Sequence, residues 1–118
     1  MRSPRPNYGR FGSEQRALSA LVERLVEAFD PESIYLFGSR ARGDATPLSD
    51  FDIMVITGEE EEDAEQADLA KAYAPVQGLG IACEIIPCSR ETFEREKGAR
   101  TGICRTVARE GRLVYERH

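Results

Sequence analysis

Two apolar runs of only four residues, Ile34–Phe37 and Ile53–Ile56, are the longest uninterrupted apolar stretches in this chain of 118 residues. A helix that spans a membrane needs about 20 apolar residues, so the sequence excludes a membrane span. Short runs rich in aromatic and β-branched residues are typical of buried strands. The sequence therefore predicts a soluble domain built around short strands. Because no apolar signal-peptide segment opens the chain, we expect it in the cytoplasm.

Helical periodicity surrounds these strands. Apolar residues from Leu18 to Phe29 recur with the spacing of one helix face, Ser13 can cap the start, and Asp30-Pro31 ends the pattern. The other expected elements are strands at Ser33–Phe37, Phe51–Ile56, Ile81–Pro87 and Leu113–Tyr115, and helices at Glu59–Ala74, Arg90–Lys97 and Thr101–Glu110, the last followed by a capping glycine at Gly111. This alternation indicates an α/β (α+β) fold.

Charge divides the chain into three parts. Residues 1–12 hold three basic and no acidic residues, residues 13–88 hold five basic and sixteen acidic residues, and residues 89–118 hold eight basic and five acidic residues. We expect residues 1–12 to form a flexible basic arm and residues 13–118 to form a single domain. An acidic centre lacks the basic surface that phosphate backbones require, so direct nucleic-acid binding is not expected, whereas divalent cations suit it.

The scarce residue types exclude several chemistries. The three cysteines, Cys83, Cys88 and Cys104, include no C-x-x-C pair, which argues against a disulfide framework or a thiolate zinc site and predicts small core residues. The only histidine is His118, which excludes a histidine base, a His-rich metal site and a Ser-His-Asp triad. Any chemistry must come from carboxylates, hydroxyls and arginines.

Candidate chemistry lies between Gly38 and Asp52. Glycine after a strand lets the backbone approach a ligand closely, and the Ser39 hydroxyl with nearby free amides could bind phosphate; an ordinary turn is the alternative. Asp50 and Asp52, at positions i and i+2, share one face of a strand, so their carboxylates can converge on cations. For Asp50, a loop ending before the strand is the alternative. Hard oxygen donors favour Mg²⁺ or Mn²⁺.

Further polar residues could complete such a site. Two metals can clamp the attacking and leaving oxygens at phosphorus, and this arrangement usually requires another carboxylate. Glu84, in the third strand among apolar neighbours, is the candidate; the alternative is an edge-strand residue that faces water. Arg42 could pair with phosphate or with the aspartates, while a surface role is the simpler interpretation of Arg40.

These motifs carry a resemblance to a known family. The stretch Gly38-Ser39-Arg40-Ala41-Arg42-Gly43, followed by Ser49-Asp50-Phe51-Asp52, resembles the G-S-x-A-R-G…S-D-x-D signature of minimal nucleotidyltransferases of the DNA polymerase β superfamily. The resemblance implies a small mixed sheet of about four strands packed with helices. It also implies transfer of a nucleoside monophosphate, from an NTP bound with two Mg²⁺ ions, to a hydroxyl.

Carried over residue by residue, the resemblance assigns roles to six positions. Gly38 and Ser39 would hold the triphosphate, and Arg42 matches the motif arginine, as a phosphate contact or a structural bridge. Asp50 and Asp52 would hold the metals. Glu84 would be the third acid, a position that is often aspartate in the family, and would help to activate the acceptor.

The acceptor is inferred from the absence of a second helical lobe, which implies a second copy or another protein beside the site. Proteins of this size in the family resemble antitoxins that transfer AMP from ATP to a tyrosine of a HEPN-type RNase toxin. We therefore expect a Mg²⁺-dependent protein adenylyltransferase antitoxin. The alternatives are an enzyme that modifies an aminoglycoside-like alcohol and an antitoxin that neutralises its partner by binding alone.

Overall fold

A four-stranded sheet forms the centre of the computed structural model, which describes residues 5–58 and 72–118. The strands are β1 (Ser33–Phe37), β2 (Phe51–Thr57), β3 (Cys83–Ser89) and β4 (Arg112–Glu116). The helices are α1 (Glu14–Phe29), α2 (Ser39–Arg42), α3 (Arg90–Glu96) and α4 (Ile103–Glu110), and a 3-10 turn spans Ala74–Val76. No helix within these described ranges is long and apolar enough to cross a membrane.

The sheet is mixed, with strand order β3-β2-β1-β4. Strand β1 pairs antiparallel with both β2 and β4, whereas β2 and β3 run parallel. Parallel strands need a long crossover connection, and residues 58–82 join β2 to β3. The prediction of a small mixed sheet packed with helices is therefore confirmed.

Apolar side chains cover both faces of the sheet. Because side chains alternate along a strand, β2 contributes to two clusters. One face packs against α1 and contains, among others, Ala17, Leu21, Leu25, Phe51, Ile53 and Val55. The opposite face packs against α3 and α4 and contains Phe37, Met54, Ile56, Cys88, Phe93, Cys104 and Val107. The sequence predicts buried strands at the two apolar runs and core positions for Cys88 and Cys104, which lie in the second cluster.

Helix boundaries follow local capping. The Ser13 side chain accepts a hydrogen bond from the backbone N–H of Arg16, and α1 ends at Asp30, which adopts a left-handed conformation with φ of 45°. Both ends of α1 were predicted. At the end of α4, Gly111 caps the helix with φ of −70°, and a Cβ there would collide with the Val107 carbonyl. Glycine is thus required at Gly111 by close packing.

Other boundaries differ by a few residues from those expected. Strand β3 begins at Cys83 and ends at Ser89, two residues later at each end than predicted, and α4 begins at Ile103 rather than Thr101. The helix expected over Glu59–Ala74 lies almost entirely outside the described residues. None of the three cysteines, all of which lie in the described ranges, forms a disulfide; Cys88 and Cys104 are buried, as predicted for core residues.

The described part of the expected arm makes defined contacts. Tyr8 and Phe11 are partly buried and pack against the cluster beneath α1. The Asn7 backbone N–H donates to the Pro47 carbonyl at 2.7 Å. At Gly9, where φ is +57°, a Cβ would collide with the Leu79 carbonyl. Residues 7–11 therefore lie against the domain.

Candidate active site

The site is built around Asp52, the second residue of β2. Alternation along the strand places Asp52 on the same face as Met54, which is fully buried under α3 and α4. Asp52 lies closer than Met54 to the start of β2 and is half-buried. Asp50 precedes the strand by one residue and is exposed, so it belongs to the loop, as the alternative interpretation had it.

Strand register brings the other predicted residues to Asp52. Phe37, the last residue of β1, pairs with Asp52 on one side, so the Gly38-Ser39 turn begins beside it. Glu84 pairs with Asp52 on the other side, from the parallel strand β3. Gly38 and Glu84 are 46 positions apart in the chain, and Asp52 and Glu84 are 32 positions apart. The strand pairing thereby brings all three residues to the same end of the sheet.

Gly38 lies in direct contact with the Asp52 carboxylate. Its φ of 74° and ψ of −156° fall in a region that is essentially restricted to glycine. A Cβ at this position would also collide with Oδ2 of Asp52. Both the backbone conformation and the contact therefore require glycine, and a ligand bound at the turn would lie next to the carboxylate.

The Gly38 carbonyl accepts hydrogen bonds from the backbone N–H groups of Ala41 and Arg42, which closes the short helix α2. Ser39 is the first residue of that helix and is half-buried. The N–H groups that open a helix have no partner within the helix, so they are available to an anion. This arrangement is compatible with the predicted phosphate contact at Ser39.

Burial, the most important cause, raises the pKa of Asp52, and the negative charges of Glu84 and Asp50 and hydrogen bonding with Glu84 raise it further. The positive charge of Arg42 acts in the opposite direction. Burial raises the pKa of Cys83 to about 11, with a second contribution from the charge of Asp50. Glu84 and Asp50 therefore both act on Asp52, and negative charge is in excess around this carboxylate.

Arg42 lies at the rim of the site. Its guanidinium forms ion pairs with Asp44 at 3.2 Å and with Glu110 of α4 at 3.6 Å, and its side chain is 43% exposed. It thus bridges α2 and the end of α4 while its charge still acts on Asp52. These contacts support the interpretation of Arg42 as a structural bridge. Its exposed guanidinium is also accessible to phosphate.

Arg40 is buried, contrary to the expected surface role. Its side chain is only 1% exposed, it stacks on the Phe51 ring at 4.1 Å, and it forms an ion pair with Glu14 at 3.4 Å. Arginine can be buried in this way because its planar guanidinium stacks on rings while its N–H groups find acceptors. Residue periodicity and charge do not show which acceptors and rings will surround an arginine, so the sequence did not predict the burial of Arg40.

Comparisons with known proteins identify the family of the chain and a similar fold. A family model described as a nucleotidyltransferase domain matches residues 18–114. The structure is similar to the crystal structure of a candidate nucleotidyltransferase from Sulfolobus solfataricus, with a TM-score of 0.53 and 24% identity over 85% of this chain and 78% of that one. No curated protein matches the chain.

The two matches carry different weight. At 24% identity, the likeness to the solved structure establishes the fold alone. The family model covers most of the chain and includes every predicted site residue, from Gly38 to Glu84. This chain therefore belongs to the nucleotidyltransferase domain family of the DNA polymerase β superfamily, transferases of class EC 2.7.7.

Proposed function

We propose that this protein transfers a nucleoside monophosphate from an NTP to an acceptor hydroxyl and releases pyrophosphate, with Mg²⁺ as cofactor. The observation that supports this most is the position of Asp52, which lies between the Gly38 turn and Glu84 across neighbouring strands. A turn suited to phosphate and a group of carboxylates suited to cations thus adjoin each other. Nucleotidyl transfer needs both, because the triphosphate must be held in place and its negative charge would be neutralised by bound cations.

The residues present fit a divalent cation by their donor chemistry. Asp50, Asp52 and Glu84 offer carboxylate oxygens, which Mg²⁺ and Mn²⁺ prefer. After burial, the negative charges of Glu84 and Asp50 are the next causes of the raised pKa of Asp52, and a cation would neutralise this charge. Within residues 5–58 and 72–118, no three His, Cys, Asp or Glu side chains are gathered closely enough to hold a metal. Binding would therefore draw Asp50 and Glu84 towards Asp52.

The residues of this chain would then have separate roles. Gly38 and Ser39 bind the triphosphate through close backbone approach and the Ser39 hydroxyl. Asp50 and Asp52 would hold two Mg²⁺ ions, which would supply charge neutralisation at the phosphates. Glu84, which is exposed, accepts the proton of the acceptor hydroxyl. The acceptor oxygen forms a bond to the α-phosphorus while the bond from that phosphorus to pyrophosphate breaks.

We further propose that the nucleotide is ATP and that the acceptor is a tyrosine of a HEPN-type RNase toxin, so that the protein acts as an antitoxin. The glycine-serine and double-aspartate motifs support this proposal through their resemblance to minimal nucleotidyltransferases. The exposure of Asp50 and Glu84 supports it as well, since a folded partner protein could reach both carboxylates from solvent.

The test is transfer of label from ATP labelled at the α-phosphate, in the presence of Mg²⁺ and the protein encoded by the adjacent gene. We expect label on a tyrosine of that protein, located by mass spectrometry. Asp50→Ala combined with Asp52→Ala should abolish labelling. Glu94→Ala removes a carboxylate that is 55% exposed on α3, where it pairs with Lys97, and labelling should persist in this control.

Three other results would redirect the assignment. Label found only on small alcohols such as aminoglycosides would replace the protein acceptor by a small molecule. Neutralisation of the partner by the double aspartate variant would show that binding, and not transfer, is the mechanism. Stabilisation by Mg²⁺ with a non-hydrolysable ATP analogue, measured as a shift in melting temperature, should disappear in the double variant, and its persistence would contradict the metal assignment.

A further inference from the structure

Asn7 connects two loops that are distant in the sequence. Its side-chain Nδ2 donates to the Ser49 carbonyl at 3.0 Å and to the Ala82 carbonyl at 2.8 Å, while its Oδ1 accepts from the Ala82 N–H at 2.7 Å. Its backbone N–H donates to the Pro47 carbonyl. The Asn7 side-chain amide thus satisfies both peptide groups of Ala82 and reaches across to the loop before β2.

Arg40 binds the same loop from the protein interior. Its Nε and Nη2 donate to the Ser49 carbonyl at 3.1 and 2.6 Å, and Nη2 also donates to the Pro47 carbonyl at 3.1 Å. The guanidinium lies between the rings of Phe51 and Tyr8, at 4.1 and 5.4 Å from their centroids. The carbonyls of Pro47 and Ser49 therefore each accept hydrogen bonds from both Arg40 and Asn7.

These loops carry the predicted carboxylates. Ser49 immediately precedes Asp50, and Ala82 lies two residues before Glu84. The parallel pairing of β2 and β3 begins here, because the Phe51 N–H donates to the Ala82 carbonyl at 3.2 Å. Any shift of Ser49 relative to Ala82 would move Asp50 relative to Glu84. Fixing these two peptides therefore fixes the spacing of the backbone segments that carry Asp50 and Glu84.

We propose that Asn7 and Arg40 are positioning residues for nucleotidyl transfer, and this rests on the function proposed above. Neither side chain is a candidate to touch the nucleotide. Together they hold the loop that bears Asp50 against the start of the strand that bears Glu84, with Asp52 between them. The segment around Asn7, which the sequence predicts to be an arm outside the domain, is in this view part of the support of the active site.

The first measurement is amide hydrogen exchange, which needs no activity. In Asn7→Ala the Ala82 N–H loses its acceptor, and its exchange should accelerate by at least about tenfold, with faster exchange also at the Phe51 N–H. Arg10→Ala is the matched control, since Arg10 lies in the same segment and contacts only the ring of Phe11 among the residues described. Unchanged exchange at Ala82 in Asn7→Ala would overturn the proposal.

The second measurement is the transfer reaction. A displacement of reacting groups by about 1 Å can cost about 100-fold in rate, so we expect kcat of Asn7→Ala to fall at least about tenfold while KM for ATP changes less than about threefold. Arg10→Ala should retain both constants. Wild-type kcat in an Asn7→Ala protein whose Ala82 amide has lost protection would overturn the proposal, because a merely structural contact predicts that result.

A conservative second variant tests the shared acceptors. Arg40→Lys keeps the charge over Phe51 but cannot reach the Pro47 and Ser49 carbonyls together. Since the side chains of Arg40 and Asn7 both donate to the Ser49 carbonyl, the loss of kcat in the double variant should be smaller than the product of the two single losses. Independent, multiplicative losses would overturn the joint role.

Failure of the proposed function is distinguishable from failure of this inference. If wild-type protein transfers nothing to any acceptor, the function proposed above is wrong. Exchange then decides the inference: acceleration at both Phe51 and Ala82 in Asn7→Ala supports the coupling of the two loops, and unchanged rates at both overturn it.

Discussion

Replacement of Gly38 by alanine tests the contact between the glycine turn and Asp52. The backbone at Gly38 has φ of 74° and ψ of −156°, a conformation that costs a residue with a side chain about 1–3 kcal/mol. The new Cβ would collide with Oδ2 of Asp52, so the carboxylate must retreat by about 1 Å to reach an ordinary van der Waals distance. Gly38→Ala therefore perturbs both stability and the site.

Gly43→Ala is the matched control at the other end of α2. Gly43 has φ of 87°, so alanine there is also strained, by about 1–2 kcal/mol, but its Cβ would meet nothing within 4 Å. The two variants should thus lose comparable stability, measured by urea unfolding, or about 4 °C in melting temperature for each kcal/mol. Only Gly38→Ala displaces the Asp52 carboxylate.

Activity separates the two variants. A shift of about 1 Å at a reacting group predicts a loss of about 100-fold in kcat/KM for Gly38→Ala, equivalent to about 2.7 kcal/mol of transition-state stabilisation. Gly43→Ala should remain within about threefold of the wild-type value when assayed below its melting temperature. If Gly38→Ala is as active as Gly43→Ala, the contact between the turn and Asp52 does not matter for the reaction, and the reasoning is refuted.

Three further outcomes are expected. In EDTA at neutral pH, Asp52→Asn should have a higher melting temperature than wild type, because the raised pKa of Asp52 means that the folded state disfavours the ionised carboxylate. This difference in melting temperature should disappear below about pH 4, and a lower melting temperature of the variant at neutral pH would contradict the prediction. Arg40→Ala should lower the free energy of unfolding, measured in urea, by about 2–4 kcal/mol, since it removes charged hydrogen bonds to two carbonyls and the stacking on Phe51. A loss under about 1 kcal/mol would contradict the contribution of these contacts to stability. Iodoacetamide at about pH 8 should label the cysteines slowly in the folded protein and fast in denaturant, because burial raises the pKa of Cys83 to about 11 and the other two thiols are buried. Labelling is measured by mass spectrometry, and rapid labelling of Cys104 in the folded protein would contradict this prediction.

Local patterns predicted much of the fold. The 3.6-residue periodicity before Asp30, the serine cap and the proline stop define α1, since these signals depend only on neighbours in the chain. Alternation and β-branching likewise identified β1 and β2. The boundaries of β3 were less accurate, because its parallel partner β2 sets where the ladder begins and ends.

The candidate site was predictable to a similar extent. The residues Gly38, Ser39, Asp50 and Asp52 lie close together in the chain and form a recognisable motif. Glu84 was a weaker candidate, since nothing in its own strand distinguishes an acid that faces a site from one that faces water. Its register opposite Asp52, which depends on the pairing of β2 with β3, is what brings it into the group.

By itself, the sequence determined the elements, the motif and the class of chemistry, because helix periodicity, strand alternation and a compact motif are properties of adjacent residues. Only the tertiary structure decided what supports that motif. Asn7 and Ala82 are 75 residues apart and Arg40 stacks on rings from two other segments, so their contacts arise when the chain closes on itself and leave no local pattern. Hydrogen bonds to backbone carbonyls also leave no trace in the side chains of the acceptor residues, so the sequence does not reveal the contacts of Asn7 and Arg40 with the loops before β2 and β3.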